Sequence, residues 1–150
     1  MNECKCRQPM RIELRTIIYA ENIEILYVPI KICEECKSYH LLKSIKPMLV
    51  HYMQTIDVGS NKIKVSFTEM NEVAEVFYEV FSQNEEDMSE VLAQTLKEII
   101  DERINALLDL FHYAEGMQDI EWIEDLRQRL SQYSSVLAEL DDVKLYSHEK

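Results

Sequence analysis

All four cysteines lie within the first 36 residues, as Cys4-x-Cys6 and Cys33-x-x-Cys36 separated by 26 residues, and none follows in the remaining chain of 150. The start MNECKCRQPMR carries charge and cysteine where a signal peptide carries an apolar stretch. No apolar run approaches the ~20 residues that a membrane span needs. The chain therefore reads as cytoplasmic and without a membrane partner, and in that reducing compartment disulfides are disfavoured. Two thiol pairs brought together by a hairpin instead supply four soft ligands to one tetrahedral ion. Zn2+ is the natural candidate, held by Cys4, Cys6, Cys33 and Cys36. A Cys4 set leaves no open position for substrate, so the site is expected to be structural. The Cys4-x-Cys6 spacing is tighter than the usual zinc pair, and His40 is a reserve ligand if one of those two fails.

The residues between the pairs predict how they meet. Met10 to Tyr19 and Ile23 to Ile32 are rich in Ile, Leu, Val, Tyr and Thr, with Ala20, Glu21 and Asn22 between them, which is the pattern of two strands and a tight turn. Arg11, Glu13 and Arg15 alternate with Ile12, Leu14 and Thr16, so one face should be buried and one solvated. Pro29 lacks a backbone donor, which places it at an edge or a bulge of the second strand. So small a module buries little apolar area and leans on its ion to fold.

From Tyr27 to Cys36 the sequence reads YVPIKICEEC, followed by Tyr39. This stretch resembles the second half of the YgiT-type zinc finger, in which a Val-Pro step precedes the second cysteine pair. Over about residues 1–45 the resemblance implies that Cys4, Cys6, Cys33 and Cys36 are zinc ligands in a bacterial, antitoxin-like regulatory module. The chain departs from the family in its CxC first pair and in Lys37, where the family usually has Gly. The cysteine spacing with Tyr39 and His40 is also similar to the zinc centre of the redox-regulated heat-shock chaperone, which implies a thiol switch. Further on, Ala114, Glu121, Trp122, Leu126 and Arg127 are similar to the UVR motif of bacterial stress adaptors.

Beyond the finger the pattern turns helical. Ser44 to Ile56 fits a helix with Pro47 in its first turn, or a strand through Tyr52, Gln54 and Ile56; helix is preferred. Ile63, Val65 and Phe67 alternate with polar residues as a short strand able to extend the finger's sheet. Thr68 is a candidate N-cap for a helix burying Met70, Val73, Ala74, Phe77, Val80 and Phe81. A long helix from about Met88 to Glu115 carries an apolar stripe through Leu92, Leu96, Ile99, Ile100, Ile104, Leu107, Leu108, Phe111 and Ala114. Gly116 is its candidate left-handed terminator and Asp119 the cap of the next helix, whose seam is Ile123, Leu126, Leu130, Tyr133, Leu137 and Leu140. The expected fold class is α+β: a zinc-ribbon-like β-hairpin module over 1–45, a linking helix or strand segment over 46–67, and an acidic helical domain with a long helical hairpin over 68–150.

The formal net charge of −12 is uneven: residues 1–60 hold eight Lys/Arg against seven Asp/Glu, and residues 61–150 eight against twenty-one. The acidic region repels phosphate backbones, so nucleic-acid contact would fall to Lys5, Arg7, Arg11, Arg15 and Lys31. With two Gly and three Pro there is no Gly-rich phosphate loop, and His51, His112 and His148 have no evident catalytic partner. The carboxylates Asp101, Glu102, Asp109, Glu115 and Asp119 lack the Glu-x-x-His pairs of a di-metal bundle. The expectation is a non-enzymatic, zinc-binding regulator or adaptor that binds another protein or a second copy of itself. An antitoxin-like nucleic-acid binder and a thiol-zinc redox switch are the alternatives. Trp122 is the candidate partner-binding residue if exposed, and a staple of the helical hairpin if buried.

Overall fold

In a computed structural model of the chain, residues 10–33, 35–56, 59, 61–83 and 89–142 are described. Strands β1 (Met10–Tyr19) and β2 (Ile23–Cys33) form the expected hairpin, antiparallel from Met10 opposite Cys33 to Tyr19 opposite Ile23. At the turn Ala20 and Glu21 take φ of 53° and 69°. Tight hairpin turns require positive φ because it matches the right-handed twist of the strands, and here it is imposed on two residues that do not favour it. Asn22 secures the turn: its Nδ2 donates to the carbonyls of Gly59 and Asn61, and its own carbonyl accepts from Ile63 N–H.

The pairing steps from Arg15 opposite Val28 to Ile17 opposite Ile25, so two residues of β2 face the single Thr16. Tyr27, in this bulge, has φ of 63°, and its ring meets Tyr78 edge-on at 4.6 Å. Bulges bend a strand and re-aim its side chains. Strand β3 (Tyr39–Leu41) pairs antiparallel with Ile30–Ile32, and β4 (Ile63–Ser66) pairs parallel with Ile23–Leu26. β2 is thus central rather than an edge. Pro29 is accommodated because it falls between the stretches where β3 and β4 pair, and the bulge lies just before it.

Helix α1 (Lys46–Thr55) resolves the ambiguous segment as helix, with Pro47 in its first turn and Leu49 buried. A 3-10 turn over Phe67–Glu69 follows β4, which corrects two expectations. Thr68 is not an N-cap; its hydroxyl lies 2.6 Å from that of Ser66. Helix α2 (Glu72–Gln83) is capped by Asn71, whose Oδ1 accepts from Ala74 N–H at 2.9 Å. The later start leaves Met70 exposed rather than on the buried face, while Val73, Ala74, Phe77 and Val80 are buried as expected.

Helix α3 (Ser89–Met117) and helix α4 (Ile120–Asp142) form the long hairpin. The left-handed residue that ends α3 is Gln118, with φ of 57°, and not Gly116, which remains helical. Asp119 N–H donates to the Ala114 carbonyl and Gln118 N–H to that of Glu115, the double closure that satisfies the last carbonyls of a helix. Asp119 caps α4 through Trp122 N–H, as its position predicts. Leu96, Ile100, Leu107 and Ala114 are buried with Leu126, Tyr133, Val136 and Leu140, but Leu108 is turned outward. The fold class is α+β. One buried cluster draws Ile23, Ile25 and Val28 of β2, Leu42, Ile45, Leu49, Phe67 and both long helices together.

Two carboxylates anchor the hairpin. Glu72, at the start of α2, accepts from Arg129 Nε and Nη2 at 2.8 and 3.1 Å and from the Tyr133 hydroxyl. Glu139, near the end of α4, lies 3.3 Å from the ammonium of Lys31, a β2 residue only 3% exposed. It also accepts from the N–H groups of Lys43 and Ser44 and from the Ser44 hydroxyl at 2.7–2.8 Å. Burial alone pushes this carboxyl up, but the Ser44 and Lys43 donors and the Lys31 charge outweigh it and hold Glu139 below the ordinary 4.5.

A group whose pKa is depressed by folding stabilises the native state above its unfolded pKa, and that contribution is lost as pH falls through the folded value. Chemical denaturation of the wild type should therefore show stability declining as the pH drops below about 4.5, the unperturbed value. Glu139→Ala should cost about 3–5 kcal/mol at neutral pH, the size expected when a buried charge loses its partner, and should flatten the acid limb.

Candidate metal centre

The register of the β-hairpin bears on where a two-pair metal site could form. Because Met10 stands opposite Cys33, the strand that begins four residues after Cys6 enters at the level of the second cysteine pair. Cys4 and Cys6 themselves lie outside the described residues. Cys33 is buried at the end of β2, Cys36 is exposed, and neither is in a disulfide.

The connection from β2 to β3 is a tight loop. Lys37 N–H donates to the Cys33 carbonyl at 2.9 Å, and Cys33 N–H donates to the Ser38 carbonyl at 2.8 Å. Lys37 has φ of 63°. A residue without Cβ reaches the left-handed region at no steric cost, whereas a lysine holds it at some expense.

The pairing of Ile32 with Tyr39 and Lys31 with His40 continues to Cys33 and Ser38, so Cys33, Ser38 and His40 project from one face of the sheet. The Ser38 hydroxyl lies 3.0 Å from Cys36 Sγ and 3.4 Å from His40 Nε2. One hydroxyl therefore stands between the exposed thiol and the imidazole. The donor chemistry suits a thiolate-preferring ion: two sulfurs on a short loop, with an imidazole behind a serine. Among the described residues, however, no group of three or more His, Cys, Asp and Glu side chains is assembled to hold a metal. A four-donor site would need donors from outside them, and Cys4 and Cys6 have the chemistry to be such donors.

The other residues singled out by sequence are placed elsewhere. Arg11 and Arg15 both pair with Glu13, at 2.6 and 2.9 Å. Burial pushes Glu13 up, and the hydrogen bonds from Arg15 and Arg11 more than reverse it, keeping the carboxyl below 4.5. Arg15 also lies over the ring of Tyr39, 5.9 Å from its centroid. Lys5 and Arg7 lie outside the described residues. Trp122 is half-buried near the hairpin turn, edge-on to Tyr113 with centroids 6.1 Å apart. His112 is exposed, with Nδ1 3.6 Å from a Glu115 oxygen. Sequence reasoning missed Ser38 and Glu139, since a lone serine and a carboxylate on an acidic helix look like ordinary surface residues.

Against models of known protein families, curated proteins and solved structures, the chain finds no match. No helix among the described residues is long and apolar enough to cross a membrane.

The left-handed loop gives a direct test. Lys37→Gly should raise stability by up to about 1 kcal/mol, because it relieves a left-handed backbone that costs an L-residue about 1–2 kcal/mol. Lys37→Val, β-branched and poorly tolerated at positive φ, should lower the midpoint of urea denaturation.

Proposed function

We propose that this chain is a non-catalytic, zinc-dependent adaptor that works through protein–protein contact. The observation that supports this reading is the register of β1 on β2, which sets Met10, four residues after Cys6 in the sequence, opposite Cys33. In the proposed site Cys4, Cys6, Cys33 and Cys36 would hold Zn2+, which supplies a fixed tetrahedral tie and no reactive position. The ion would set the end of the sheet, and the sheet carries the acidic helical hairpin through Lys31 and Glu139.

The nucleic-acid alternative has less to support it. Arg11 and Arg15 share Glu13, and Lys31 is buried against Glu139. The redox alternative is favoured by one observation, the exposure of Cys36 beside a buried Cys33, which would present one thiol to an oxidant first.

Metal analysis of the purified chain should find about one zinc per chain, and the Cys33→Ser/Cys36→Ser double variant should retain none. Equal metal in both proteins would refute the centre. Zinc that stays bound under mild peroxide would dispose of the redox alternative.

A further inference from the structure

Helix α3 carries two apolar seams. The first, through Leu96, Ile100, Leu107 and Ala114, is buried. The second runs through Ala106, Leu110, Tyr113 and Met117 at alternating steps of four and three, the spacing of a helix–helix seam, about a quarter turn from the first. It faces solvent: Leu110 is 41% exposed, Tyr113 64% and Met117 58%, and Ile120 just past the turn is 74% exposed. Trp122 borders this patch through its contact with Tyr113. Four large apolar side chains exposed at seam spacing near one hairpin tip differ from the singly scattered apolar residues of ordinary surface.

The charge around the seam selects the occupant. From Glu102 to Asp125 the chain carries seven carboxylates and one basic residue, Arg103. Over the whole hairpin, residues 89–142, there are thirteen carboxylates against four Lys/Arg. Two such tips facing one another would set like charges together, which costs free energy, whereas a cationic ligand is drawn in and oriented.

We propose that the tip of the α3–α4 hairpin docks a cationic amphipathic helix of another protein, with the partner's apolar side on Leu110, Tyr113, Met117 and Ile120 and its basic side on the surrounding carboxylates. This rests on the adaptor reading above and names the partner's chemistry. Binding of this kind uses helix-in-groove anchors at three- and four-residue spacing for affinity and the charged rim for specificity.

Trp122 is the chain's one tryptophan, so its fluorescence reports on the patch directly. The probe is a synthetic Leu/Lys peptide of amphipathic helical pattern, titrated into the zinc-loaded full chain. The same pattern with Glu for Lys serves as control. The expected result is a saturable change in Trp122 emission with the Lys peptide only, weakened by salt. Leu110→Ser and Met117→Ser, which leave the charge untouched, should each weaken binding at least tenfold without changing helix content or melting midpoint. Absence of saturable binding overturns the proposal. Equal binding by wild type and both variants also overturns it, since charge alone would then draw the peptide. Sedimentation showing a wild-type dimer that Met117→Ser dissociates assigns the seam to a second copy and overturns it as well. None of these outcomes touches the zinc stoichiometry on which the adaptor reading stands, so the two fail separately.

Discussion

The central strand β2 is the constraint from which the rest of the arrangement follows. It alone pairs with each of the other three strands, and every residue from Val28 to Cys33 is buried. A strand enclosed on both faces can carry a lysine only if an opposite charge comes to meet it, because a lone ammonium out of water is prohibitively costly. Glu139 is that charge, and meeting it fixes the far end of α4 against the sheet. The same carboxylate collects the N–H groups of Lys43 and Ser44, so the chain leaving β3 is positioned by the same interaction. At the same end of the strand, two residues beyond Lys31, the antiparallel register sets Met10 opposite Cys33 and so decides where a metal centre could be built.

This coupling gives the molecule a mechanical logic. The candidate metal centre lies at one end of the sheet, Lys31 lies two residues inside it, and Glu139 conveys that end to the helical hairpin. The hairpin's opposite end is the exposed tip with its second seam. The hairpin is joined to the sheet at that end through Glu139 and packs into the same buried cluster as β2. Arg129 and Tyr133 on Glu72 add a second attachment midway along α4.

Regular elements were legible wherever local periodicity and burial agreed. The hairpin strands, the long helix pair and the Asp119 cap follow from alternation, three- and four-residue spacing and turn residues alone. The errors occurred where local signals competed. Thr68 and Asn71 are both acceptable caps, and the 3-10 turn that separates them is selected by burial of Phe67. Gly116 is the residue most tolerant of the left-handed region, yet the helix runs one turn fraction further and leaves that conformation to Gln118. Pro29 in a central strand contradicts its usual place, and only the division of the neighbouring edge between β3 and β4 shows why it is tolerated. At the candidate centre, the cysteines were evident from composition, but the Ser38 hydroxyl between Cys36 and His40 needed the third strand in place.

By itself the amino-acid sequence determined the elements, the α+β class, the clustering of all thiols in one module and the segregation of negative charge into the other. These are properties of short-range spacing and composition, written along the chain. Only the tertiary structure decided that Lys31 is an interior residue, that Glu139 of an acidic helix is its partner 108 residues away, and that one of two apolar seams on α3 remains uncovered. Such facts depend on which faces meet in space, and burial, unlike periodicity, is a property of the assembled fold.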